Sequence, residues 1–208
     1  VHEKKIILFD FDGTIADSLH RLLEISNVLA EEYGYRKVNK EEIPYFRNKS
    51  IMETFRELQI PLLKVPIIAH RVKTTFQREA HLSCLHEGMR ETLAQLKNHY
   101  RLGILTSNTK NNVHRFLQQH QLELFDFVYT SSNIFGKSRV LRRILREQKL
   151  SVGEVIYVGD ELRDIEAAQQ LDMDIIAVSW GANNKKALAA LSPTYLIDQP
   201  AKLISLLV

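Results

Sequence analysis

Four short stretches of the chain are apolar without alternation: Ile6-Ile7-Leu8-Phe9, Leu102-Gly103-Ile104-Leu105, Val155-Ile156-Tyr157-Val158 and Ile175-Ile176-Ala177-Val178. Each is too short for a buried helix and lacks the alternating polar positions of a half-exposed strand. They therefore read as parallel strands covered on both faces. Phe127-Val128-Tyr129 and Tyr195-Leu196-Ile197 are weaker examples of the same pattern. Helical patterns lie between them, from Met89 to Lys97, Asn111 to Gln119, Ser138 to Gln148 and Asp164 to Leu171. Strand and helix alternating in this way predict an α/β fold with a doubly wound parallel sheet.

Residues from about 16 to 85 break that rhythm. Leu19, Leu22, Leu23, Ser26 and Leu29 recur at helical spacing, and no strand pattern stands out. Pro44, Pro61 and Pro66 divide the stretch into several shorter helices, because proline lacks the amide hydrogen a helix interior needs. The expected organisation is a core made of residues 1–15 and 86–208, with a helical insertion over 16–85.

Composition narrows the class without choosing a chemistry. A chain of 208 residues, 45% hydrophobic and 25% charged, matches an ordinary globular protein. The net charge of +3 is modest, and the basic residues are scattered rather than gathered into a stripe, so no nucleic-acid partner is expected. No basic helix or base-stacking aromatic pattern is present. Cys84 is the only cysteine, which excludes an intramolecular disulfide and fits a reducing cytoplasm. No apolar run approaches the roughly 20 residues of a membrane-spanning helix. The first residues, from Val1 to Ile6, lack the layout of a secretory signal. The expectation is a cytoplasmic protein with no membrane partner.

Candidate chemistry gathers at the ends of the strands, where open α/β sheets bind ligands. Asp10 ends the first strand in Phe9-Asp10-Phe11-Asp12-Gly13-Thr14. If the backbone stays extended for two more residues, Asp10 and Asp12 face one side, roughly 6–7 Å apart, with room for a phosphoryl group between them. Gly13 permits a sharp departure, with positive φ if needed. A carboxylate can act as nucleophile in phosphoryl transfer, and a second can protonate the leaving oxygen and then activate water. An ordinary Asp-Gly turn has the same residues, so this hexapeptide does not decide alone.

Other strand ends add to it. Asp160 follows Gly159, and Asp164 lies one helical turn further on; hard oxygen ligands grouped this way suit magnesium. Helix capping by the same acids remains open and is compatible. Thr106-Ser107-Asn108 offers hydroxyls and amides for a phosphate cradle at a strand-to-helix turn, although these are also common caps. Lys137, after Phe135-Gly136, is either solvated surface or a cation that steadies nucleophile and phosphate. Four converging aspartates would repel and take up protons unless a divalent cation and Lys137 offset them.

With Asp10-Phe11-Asp12-Gly13-Thr14, Thr106, Lys137, and Gly159-Asp160 with Asp164 in order, the chain resembles the haloacid dehalogenase superfamily over nearly its whole length. It is most similar to the branch of phosphoglycolate phosphatases and β-phosphoglucomutases. The resemblance implies a Rossmann-like core with a small inserted α-helical cap that closes over the site. It also implies hydrolysis of a small phosphorylated metabolite such as phosphoglycolate or a sugar phosphate. Asp10 is then the nucleophile and Asp12 the general acid and base. Mg2+ sits on Asp10, the Asp12 backbone carbonyl and Asp160, supported by Asp164, while Thr106 and Lys137 hold phosphate with help from Ser107 and Asn108.

Two departures accompany the match. Ser138 follows Lys137 where relatives usually carry proline, and the cap reads Tyr45-Phe46-Arg47-Asn48-Lys49-Ser50 where relatives often have a glycine-bearing loop. Arg47 and Lys49 are either contacts for an anionic substrate or solvated surface. Asp12 argues against a dehalogenase. A mutase of the β-phosphoglucomutase type is the nearest enzymatic alternative, and a phosphate-binding protein without turnover is the non-enzymatic one. His20 falls two positions too early for the mutase histidine, a rotation of about 200° on a helix, and is expected to lie at the surface or pack within the cap. No lysine stands in a phosphonatase context.

Overall fold

The computed structural model describes residues 4–47, 49, 51–131 and 136–208. Asn48, Ser50 and Phe135, named above, lie outside the described residues. In chain order, strand β1 (Ile6–Phe9) is followed by the two-residue strand β2 (Ala16–Asp17) and helices α1 (Ser18–Tyr33), α2 (Ile43–Phe46), α3 (Ile51–Glu57) and α4 (Val65–Glu79). Strand β3 (Cys84–Leu85) and helix α5 (Met89–Lys97) lead into β4 (Arg101–Thr106), α6 (Lys110–Gln119), β5 (Phe127–Thr130) and α7 (Lys137–Glu147). The chain ends with β6 (Val155–Gly159), α8 (Leu162–Gln169), β7 (Asp174–Val178), α9 (Lys185–Ala190), β8 (Tyr195–Ile197) and α10 (Lys202–Leu207).

Six strands form one parallel sheet in the order β5-β4-β1-β6-β7-β8. The expected α/β class and doubly wound sheet are present. Strand β1 is central, with Phe9 level with Ile104 on one side and Val158 on the other. The chain winds outward from β1 to β5 and then returns to β6, so the topology switches beside β1, where ligand crevices form.

The sheet is apolar on both faces for a packing reason. Ile7 and Phe9 point to one layer, with Leu93, Leu96, Phe116 and Leu203 from α5, α6 and α10. Ile6 and Leu8 point to the other, with Leu141, Ile144, Ile165 and Leu188 from α7, α8 and α9. Each such side chain, fully buried, contributes about 1.5–3 kcal/mol. A cavity-forming change such as Leu8→Ala is expected to cost about 2–5 kcal/mol.

Helices α1 to α4 have a separate apolar cluster that includes Ile25, Leu29, Leu58, Ile60 and Ile68. Asp17 caps α1 by accepting from the His20 amide at 3.1 Å, and Gly34 ends it in the left-handed region at φ 74°. The expectation of no strand in this stretch is corrected at its two ends. Ala16 pairs with Leu85 and Asp17 with Cys84, an antiparallel ribbon too short to leave an alternating pattern. No described helix is long and apolar enough to cross a membrane.

Candidate active site

Asp10 follows β1 directly, and its amide continues the ladder by donating to the Val158 carbonyl at 2.8 Å. The extended backbone then stops. Ile15 and Ala16 both donate to the Phe11 carbonyl, and Gly13 donates to Ala16, closing a tight turn. Gly13 has φ +81°, and a Cβ there would lie 2.2 Å from Asp160 Oδ2. Glycine is thus required twice, for the backbone angle and for the approach of the carboxylate.

Three buried carboxylates from distant parts of the chain meet beside this turn. Asp10, Asp160 and Asp164 each offer an oxygen within 4.8 Å of the others. The Lys137 ammonium lies 2.8 Å from Asp10 Oδ2 and 2.5 Å from Asp164 Oδ1. Lys137 opens α7 rather than preceding it, and only 2% of its side chain is exposed. Asp164 is also held by the Tyr157 hydroxyl at 3.0 Å and by the Glu161 amide at 3.1 Å. Asp160 accepts from the Thr14 hydroxyl at 2.8 Å and from the Ala182 amide at 2.6 Å.

These surroundings change the acids. Burial drives the Asp10 carboxyl well above the usual range, and Asp164 and Asp160 reinforce this against the opposing pull of Lys137. Burial and then Asp164 push Asp160 up to about 7. Burial also pulls Lys137 toward neutrality, but the negative charges of Asp10 and Asp164 outweigh it and hold the ammonium above its ordinary range. With all three carboxyls ionised and one lysine, the cluster carries two excess negative charges in a water-poor setting. The donor set is hard oxygen, and Asp10 and Asp160 keep unshared lone pairs. These residues fit a divalent cation. Asp164 has less to offer a metal directly, since its Oδ1 already accepts from both Lys137 and Tyr157 and its Oδ2 from Glu161.

The Asp12 carboxylate stands apart from that cluster and faces a cavity of about 280 Å³ that also touches Ser107, Asn108 and Arg163. Asn108 Nδ2 donates to both Asp12 oxygens, at 3.2 and 3.1 Å. Burial raises the Asp12 carboxyl to about 6, against the lowering effect of the Asn108 bond. Thr106 is fully buried, and its hydroxyl accepts from the Asn108 amide at 2.9 Å. Asn108 Oδ1 accepts from Asn112 and from the Thr109 amide, which fixes the orientation of its Nδ2.

Several contacts had no local signal in the sequence. Arg47, at the end of α2, turns its guanidinium onto the carbonyls of Ser179, Ala182 and Asn183 at 3.0, 3.3 and 2.5 Å. That loop also supplies the Ala182 amide to Asp160. Of the two readings left open for Arg47, substrate contact or solvated surface, neither describes this docking. Lys49 pairs with Glu57 at 2.7 Å and lies 4.3 Å from the Tyr45 ring centre. His20 lies on α1, with Nε2 3.9 Å from Glu24 Oε1. Trp180 Nε1 donates to the Thr14 carbonyl at 3.0 Å and so steadies the turn after Asp10.

Comparison with known proteins agrees with this geometry. Residues 7–178 match the family model described as haloacid dehalogenase-like hydrolase. This chain belongs to that family. The hydrolase is 34% identical over 200 residues to a phosphoglycolate phosphatase of Synechococcus elongatus, covering 95% of this chain and 94% of that one. It is 26% identical to the pyrophosphatase PpaX of Bacillus mycoides, over 97% and 95% of the two chains. Among solved structures, a haloacid dehalogenase-like family protein from Streptococcus pneumoniae superposes with a TM-score of 0.75 at 19% identity, covering 99% of each chain. That likeness bears on the fold alone.

Proposed function

We propose that this haloacid dehalogenase-type phosphatase hydrolyses a small phosphorylated metabolite through an aspartyl-phosphate on Asp10, with Mg2+ bound beside it. The observation that carries the reading is the convergence around Lys137 of Asp10 and Asp160, which follow β1 and β6, and of Asp164 from the first turn of α8. A pure binding site has no use for Asp12, a carboxyl near neutral titration beside a buried, lysine-paired carboxylate. The relatives named above act, by their names, on phosphoglycolate and on pyrophosphate. Both compounds carry a second anionic group close to the scissile bond, and this chain is assigned a substrate of that kind.

Lys137 aims Asp10 and opposes the burial that disfavours its ionised form, while the Phe11 amide fixes the other Asp10 oxygen by donating to it at 2.8 Å. Asp10 attacks phosphorus as the bond to the leaving oxygen breaks, and protonated Asp12 delivers its proton to that oxygen. Asp12, now a carboxylate held by Asn108, takes a proton from water. The resulting hydroxide displaces Asp10 and releases inorganic phosphate. Thr106, Ser107, Asn108 and Lys137 surround the transferred group. A cation on Asp10, Asp160 and the Asp12 carbonyl, braced by Asp164, would supply positive charge to the phosphoryl oxygens. The helical segment 16–85 acts as the cap over the core of 1–15 and 86–208, and its closure excludes water.

The test is phosphate release from a panel of small phosphorylated metabolites, with magnesium or with chelator. Asp10→Asn should abolish turnover while the melting profile stays cooperative. Retained turnover in that variant would exclude Asp10 as nucleophile.

A further inference from the structure

Lys137 is committed to Asp10 and Asp164, so it has little left for any part of a substrate beyond the transferred phosphoryl group. Two other cations line the cavity that Asp12 faces: Arg163, on the first turn of α8, and Lys73, on α4. Arg163 is not free to wander. Glu161 accepts from Nη2 at 2.7 Å and lies in ion-pair contact with Nε, and among the described residues no carboxylate engages Nη1. Lys73 is exposed and has no ion-pair partner among the described residues.

We infer that Arg163, braced by Glu161, and Lys73 form a subsite for the second anionic group of the substrate, a carboxylate or a second phosphoryl. This rests on the reading that Asp12 serves the leaving oxygen. Whatever is bonded to that oxygen must pass into the Asp12 cavity, whose walls carry these two positive charges. At about 280 Å³ the cavity suits a small leaving group. A guanidinium fork meets a planar carboxylate or a phosphoryl group with two parallel hydrogen bonds, whereas a neutral alcohol leaves it unpaired. Lys73 comes from the helical segment and Arg163 from the core. An anion between them would also draw the two together, coupling recognition to closure.

The experiment compares kcat/KM, with magnesium present, for phosphoglycolate and for 2-hydroxyethyl phosphate, in which the carboxylate is replaced by a neutral alcohol. Wild type should prefer the carboxylate by about 100-fold, and Arg163→Gln should lower that ratio by about 10- to 100-fold, chiefly through KM. Arg163→Lys should recover part of it. Lys73→Gln, a change on an exposed helix face that does not endanger folding, should lower the ratio several-fold. A wild-type ratio near one, or a ratio unchanged in both Gln variants, would overturn the subsite while leaving the phosphatase reading intact. If wild type hydrolysed neither phosphoglycolate nor pyrophosphate the subsite would fall, whereas release of phosphate from no member of the panel would overturn the phosphatase reading as well.

Discussion

Without metal, the Asp160 carboxylate should destabilise the folded protein above neutral pH, and Asp160→Asn should relieve the cost. Asp160 titrates at about 7 in the fold against an ordinary value of 3.8, driven first by burial and then by Asp164. Below about pH 4 the group is protonated in both folded and unfolded chains, and the shift contributes nothing unfavourable. Between about 4 and 7 the folded state keeps a proton that the unfolded chain has released, so stability falls as pH rises. Above 7 the full cost is present. A shift of about 3 units at about 1.4 kcal/mol per unit sets a ceiling of about 4 kcal/mol. Relaxation of Asp10 and Asp164 reduces it to about 2. Asparagine can keep both hydrogen bonds, with its oxygen accepting from Ala182 and its amide donating to Thr14, whose hydroxyl can accept as well as donate. For a chain of this length about 2 kcal/mol corresponds to roughly 4–8 °C in Tm. The assay is thermal unfolding in chelator at pH 8 and pH 5, followed by circular dichroism. Asp160→Asn should melt above wild type at pH 8, by a margin that shrinks at pH 5. Added magnesium should raise wild type and leave the variant unmoved. A variant melting at or below wild type at pH 8 in chelator would refute the reasoning.

Other outcomes follow from the same geometry. Asp12→Asn should reduce phosphate release nearly as far as Asp10→Asn, whereas His20→Ala should alter kcat/KM by less than about threefold, since the ion-pair contact of His20 is to Glu24 on its own helix. Asn108→Ala removes a hydrogen bond that favours ionised Asp12, so the apparent pKa assigned to Asp12 in the pH profile of kcat/KM should move upward. Gly13→Ala places a methyl against Asp160 in a backbone region alanine avoids; the loss should be about 2 kcal/mol or more in denaturant unfolding, with weakened magnesium binding. Arg47→Ala should speed amide hydrogen exchange over residues 179–184 by removing three contacts to that loop.

The six-stranded sheet was legible because its strands are buried on both faces. Ile6–Phe9 and Tyr195–Ile197 appear in the structure with the bounds their composition gives, and the other four strands of the sheet differ by a residue or two. Lys137 shows the usual limit at helix ends, since a terminal residue carries no periodicity of its own. The aspartates were legible because strand ends point at the crevice. What sequence could not supply was partnership between distant side chains. Asn108 suggested a cap or a cradle, and nothing local showed that its side chain would turn to Asp12. For Arg47 the sequence offered substrate contact or solvated surface and not its docking, because the carbonyls it meets lie more than 130 residues away. The β2–β3 ribbon was missed since two residues a side carry no alternation.

Strand β1 is made first yet lies between β4 and β6, whose residues emerge about a hundred and a hundred and fifty positions later. Its pairings are therefore non-local, and closing such long loops slows folding. Asp10 belongs to this early segment, while Lys137, Asp160 and Asp164 follow it by more than a hundred residues. A nascent chain thus holds no assembled cation site until the central strand has been clasped from both sides. A truncated chain lacking β6 would leave one edge of β1 unpaired and Asp10 without its acidic partners.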